Sequence, residues 1–182
     1  MTKACWAYGC VAIVSIVSLS CTADHTYSNL HARAHLTNII AIPPLYTAIH
    51  GSGEYCMVWR DVSNRYQYLA QAGHQFTVPP TALTAYDGWY TPTGSGFIIG
   101  RSNVPTIGQT ELPLVAYDRA CPTCYREHIS KSLDFATYGR VRCPRCHRFY
   151  DLNNAGYVID GEGEKLIRYR CRLVGHSFIL GN

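Results

Sequence analysis

Four of the nine cysteines fall into two copies of one short pattern, Cys121-Pro122-Thr123-Cys124 and Cys143-Pro144-Arg145-Cys146, with 18 residues between the copies. Two residues between cysteines let both sulfurs of one tight turn face the same ion. Two such turns opposed to each other supply four thiolates in a tetrahedral set, and the spacing is that of a zinc ribbon. His128 and His147 stand beside the pairs as substitute ligands or hydrogen-bond donors to the ligands. With four cysteines at hand, both histidines are expected outside the ring of ligands or exposed. Arg119, Arg126, Arg140, Arg142, Arg145 and Arg148 crowd the same stretch. Four thiolates around a divalent ion leave a charge of −2, which guanidinium groups offset while lowering the thiol pKa values.

A four-cysteine site is closed. It leaves no open coordination position, so hydrolysis at the metal is not expected. No Ser/His/Asp order, paired carboxylates or phosphate-cradling glycine loop stands out elsewhere, and Gly94-Ser95-Gly96 reads as a turn. The βαβ context of a redox-active dithiol is missing as well. An interaction or electron-transfer role therefore ranks above catalysis.

These knuckles need a frame, and the composition points to strands. Charged residues are 15% of the 182, tyrosines number fourteen against two methionines, and Gly and Pro are frequent. That balance favours β-structure over long amphipathic helices. The net charge of +4 is mild and calls for no nucleic-acid partner. Residues 1–20 read as a signal peptide: Lys3 begins it, residues 11–17 form the apolar run, and Ser18-Leu19-Ser20-Cys21 ends it. The ending resembles the lipobox of bacterial lipoproteins, although Ser18 replaces the usual larger aliphatic residue. That resemblance implies acylation of Cys21 and a lipid anchor in the bacterial cell envelope; an uncleaved signal anchor is the alternative. Residues 21–41 then read as a polar tether, with His25, His31 and His35 scattered in it.

A single domain is expected over residues 42–182, with its metal-binding loops at about 117–151. Pro43-Pro44, Gly51-Ser52-Gly53 and Pro79-Pro80 read as turn signals. Tyr55–Trp59, Arg65–Leu69, Phe97–Gly100 and Leu112–Tyr117 read as strands. Leu166–Val174 reads as one closing strand, with Ile167, Tyr169, Cys171 and Leu173 on its apolar face and Arg168, Arg170 and Arg172 on its wet face. Cys171 is then buried; it either pairs with Cys56 or both remain free thiols.

Val115–Pro122 resembles the strand and first cluster loop of Rieske iron–sulfur domains, and Cys143–Asp151 resembles the second loop with the aromatic-Asp pair behind it. The turns at Asn153–Gly156 and Gly161–Gly163, then Leu166 and Tyr169, continue the likeness, which spans residues 96–174. It implies a mostly β, Rieske-like fold of antiparallel sheets presenting two metal-binding loops at one tip. The ligands depart from the family. Rieske loops give one Cys and one His each; here Thr123 holds the first His position with Cys124 just after it. Cys146 holds the second, and His147 is one place late. The all-sulfur set suits a single tetrahedral ion, zinc first, held in a structural or interaction module. The alternatives are a [2Fe-2S] cluster in a low-potential electron carrier docking a redox partner, or disulfides closing the four cysteines. Export without a twin-arginine pair weighs against the cluster, because the chain would cross the membrane before cluster assembly.

Overall fold

The computed structural model describes residues 27–80, 88–106, 108 and 110–182. The expected signal peptide and the acylated Cys21 lie outside them. No described helix is long and apolar enough to cross a membrane.

The protein is mostly β, with three antiparallel sheets among the described residues. Its middle layer has six strands: β2 (Glu54–Arg60), β3 (Tyr66–Ala70), β4 (Gln75–Val78), β5 (Phe97–Arg101), β6 (Leu114–Asp118) and β11 (Arg168–Tyr169), in the order β11-β6-β5-β2-β3-β4. Tyr55, Cys56, Met57 and Val58 are all buried in succession. A strand apolar on both faces belongs in the centre of a sheet with layers on both sides. Alternation sorts those residues into two cores: Cys56, Val58, Phe97, Ile99 and Ala116 face one way, while Tyr55, Met57, Ile98, Val115 and Tyr117 face the other. Gly96, at φ 96°, leads into β5 hard against the Val58 carbonyl, where any side chain would collide.

The first core is closed by α1 (Pro43–His50) and by a three-stranded sheet in the order β1-β13-β12, built from β1 (Arg33–Leu36), β12 (Cys171–Val174) and β13 (Ser177–Gly181). Three sequence readings need correcting here. Pro43-Pro44 opens a helix rather than marking a turn. Proline at the first helical position lacks an N–H that would have no partner anyway, and its φ is already helical. Leu45, Ala48 and Ile49 then lie on one buried helical stripe.

The stretch read as a tether is also part of the fold from at least Ser28, whose N–H donates to Arg168 O at 2.8 Å. Ala32, Ala34, Leu36 and Ile39 are core residues, and Arg33 pairs with Gly181. The third correction concerns the closing strand, which is two strands. Arg168–Tyr169 pairs with β6 and Cys171–Val174 with β13. Between them, the Arg170 N–H leaves both ladders for Asn182 Oδ1 at 3.0 Å. Changing sheets ends the shared apolar face, so Tyr169 is buried, Cys171 half-buried and Leu173 exposed. Cys56 and Cys171 are both free thiols.

The second core carries the small sheet β10-β9-β8-β7: β7 (Asp134–Phe135), β8 (Arg140–Arg142), β9 (Phe149–Asp151) and β10 (Tyr157–Val158). Tyr55 Oη donates to Asn153 Oδ1 at 2.8 Å and Tyr117 Oη to Leu152 O at 3.1 Å, tying the two sheets together.

Candidate metal centre

The first knuckle hangs directly from β6. Asp118 ends that strand fully buried, and its carboxylate binds three donors: Thr93 Oγ1 at 2.7 Å, the Ala120 N–H at 2.8 Å and Tyr169 Oη at 2.8 Å. Burial pushes its pKa up, and the three donors counter only part of the shift. Ala120 is thereby held at a fixed distance from the sheet. The Cys121 N–H donates to Lys131 O at 2.8 Å, and Pro122 begins the short helix α2 (Pro122–Arg126), which brings Cys124 round to the side of Cys121.

The second knuckle is the β8–β9 connection. Cys143 N–H donates to Arg148 O and His147 N–H to Cys143 O, each at 3.0 Å, while the Cys146 N–H points at Cys143 Sγ at 3.5 Å. His147 takes the left-handed conformation, φ 60°, that lets the chain turn out of the knuckle.

The turns bring all four sulfurs within 4.8 Å of one another. Cys121 Sγ lies 3.6 Å from Cys146 Sγ, and Cys124 Sγ lies 3.7 Å from Cys143 Sγ. Sulfurs about 2.3 Å from a central ion form a tetrahedron with edges of about 3.8 Å, so the cluster fits a single metal ion. Three of the cysteines are buried and Cys146 is half-buried.

Neighbouring groups set the electrostatics. Tyr150, buried on β9, brings its hydroxyl to 3.2 Å from Cys121 Sγ and 3.3 Å from Thr123 Oγ1. Arg145 Nη1 donates to Cys124 Sγ at 3.6 Å and to Glu127 Oε2 at 2.7 Å, fastening the second knuckle to the end of α2. Burial drives the Cys121 thiol up to about 12, with the neighbouring thiols adding to the rise and Tyr150 opposing it. Cys143 is also raised by burial. Burial would lift Cys146 too, but the Arg148 backbone N–H, the two nearby thiols and the Arg148 side chain outweigh it and lower the thiol to about 7.

Of the six arginines named from the sequence, Arg145 and Arg148 act on the sulfurs. Arg126 pairs with Glu164 at 2.9 Å, Arg119 stacks over Trp59 at 4.3 Å and Arg142 meets His147 Nδ1 at 2.8 Å. His128 and His147 are exposed, and the metal-binding group among the described residues consists of the four cysteines alone. The contacts of Tyr150 and the Asp118 anchor were not found from sequence. The alternation Phe149-Tyr150-Asp151 marks Tyr150 as inward-facing, but only the pairing of Tyr150 with Val141 aims it at the site.

Comparison with known proteins brings no relative to this site: no family model, no curated protein and no solved structure matches the chain.

Proposed function

We propose that the four cysteines hold one zinc ion as a structural pin, in a Rieske-like domain that works as an exported, lipid-anchored interaction module. One observation carries the metal reading: all four sulfurs lie within 4.8 Å of one another, and the two contacts between the knuckles, at 3.6 and 3.7 Å, match the edges of a single-ion tetrahedron. A binuclear cluster would divide the four thiolates between two irons and spread the pairs beyond one coordination sphere. Zinc bound here would link α2 to the β8–β9 turn and add its binding energy to the fold of the small sheet. With all four positions taken by protein, it would have no site for substrate.

The order of features around the knuckles supports a second reading, a low-potential [2Fe-2S] electron carrier that meets a redox partner at the arginine-bearing tip. Metal analysis with an absorbance spectrum decides between them. One equivalent of zinc in a colourless protein is the expected result, and sulfide-to-iron charge-transfer bands would overturn it. Loss of lipid labelling in Cys21→Ala is expected if the anchor is correct.

A further inference from the structure

The four sulfurs are unequally placed for oxidation. Cys121, Cys124 and Cys143 are fully buried, whereas Cys146 is partly open to solvent. A small oxidant therefore meets Cys146 first. Its sulfur lies 3.6 Å from Cys121, and Cys124 lies 3.7 Å from Cys143; both contacts run from one knuckle to the other. A disulfide needs about 2.05 Å, so the two sulfurs of each pair must still move together to bond.

We infer that the centre is a peroxide-sensitive modification site in which oxidation joins the knuckles by two cross-bridges, Cys121–Cys146 and Cys124–Cys143, and expels the metal. Only the expulsion rests on the zinc reading; the pairing rests on the 3.6 and 3.7 Å contacts between the knuckles. The Cys146 thiolate attacks one peroxide oxygen, breaks the O–O bond and becomes a sulfenic acid, and the departing hydroxide takes a proton to leave as water. The Cys121 thiolate then attacks the Cys146 sulfur. The sulfenic hydroxyl leaves as water with a second proton, and two electrons have passed from two thiolates to one peroxide. The ion has lost two of its four ligands and dissociates. A second peroxide closes Cys124–Cys143 in the same way.

This oxidation keeps the tip shut. Metal and disulfides alike pin α2 to the β8–β9 turn, so the fold survives the exchange while the charge does not. A centre of charge −2 becomes neutral beside Arg145 and Arg148, making the tip more cationic. The output of oxidation is thus a changed surface potential, not an unfolded domain.

Peptide mapping tests the pairing directly, because trypsin cuts between Cys143 and Cys146 at Arg145. Zinc-loaded full-length protein is treated with hydrogen peroxide, followed with a zinc indicator, alkylated and digested without reductant. Cross-bridging links Ala120–Arg126, Cys143–Arg145 and Cys146–Arg148 into one three-peptide species whose fragment ions show Cys121–Cys146 and Cys124–Cys143. A looped Ala120–Arg126 peptide with a separate Cys143–Cys146 dimer would overturn the inference. So would the opposite cross-pairing, or sulfinic acid without any disulfide. In Cys121→Ser the Cys146 sulfenic acid loses its partner at 3.6 Å, and dimedone present during oxidation is expected to label Cys146; label on Cys124 or Cys143 instead would refute Cys146 as the entry point. If the purified protein holds no zinc, the metal reading fails separately, and the same map on the reduced chain still decides the pairing.

Discussion

The shifts at the cysteines set how an ion competes with protons. Without metal, Cys121, at about 12, and Cys143, also raised, are thiols at neutral pH, while Cys146, at about 7, is half ionised. Loading must expel at least the protons on Cys121 and Cys143, so affinity falls as acidity rises. With at least two protons released per ion, the apparent zinc affinity is expected to change by at least about 100-fold per pH unit near neutrality. Competition against a chromophoric chelator on both sides of neutrality reads that slope; a flat profile would mean that the sulfurs are already ionised. His147 offers a separate check at the same scale. It holds a left-handed backbone that glycine adopts freely, and its ring is exposed. His147→Gly is expected to leave zinc stoichiometry unchanged and to gain about 0.5 kcal/mol in stability, read by denaturant unfolding. Lost zinc in that variant would place the imidazole on the metal.

Among the elements, the end of β6 carries most consequence for the site. Asp118→Ala removes the acceptor for three donors at once, two of them hydroxyls that can turn elsewhere and one the fixed Ala120 N–H. A loss of about 3 kcal/mol is expected in thermal or denaturant unfolding, with weaker metal retention because Cys121 follows three residues on. An unchanged melting temperature would show that the anchor is dispensable. The site's ligands were legible in the sequence because a C-x2-C pair is a local pattern whose geometry comes from one turn. The contacts of Tyr150 and Arg145 were not, since they depend on strand register and on the approach of two distant loops. The strands rich in apolar residues, such as β2 and β5, were equally plain. By contrast, β1 is only four residues long, and its partner β13 lies at the other end of the described chain. No local window shows that pairing. Helix α1 was hidden by its own prolines, which look like breakers until the helix is seen to start on them.

At the scale of the molecule, the middle sheet separates two cores that hold different elements together. The first is filled by aliphatic and aromatic side chains from α1, β1 and β13, whereas the second includes Cys121, Cys124 and Cys143 among its buried residues. Strands of two or three residues, as in β7–β10, do not make an independently stable sheet. Chelation is therefore expected to raise amide exchange in β7–β10 and α2 well before β2 and β5, as read by hydrogen-exchange mass spectrometry. Uniform loss of protection would instead make the two cores one cooperative unit. The path of the chain between the cores has a further consequence. It leaves the middle sheet after Asp118 and re-enters at Arg168, whose strand lies beside β6 with Tyr117 opposite Arg168 and the Asp118 N–H on Ile167 O at 2.8 Å. The four cysteines, α2 and the small sheet are thus strung between two adjacent points of attachment. Such a segment is portable: a host must supply two neighbouring antiparallel strand ends over an apolar face like that of Met57, Ile98 and Val115, with counterparts of Thr93 and Tyr169 to hold the Asp118 carboxylate, and its own chain need not be re-routed to receive the graft.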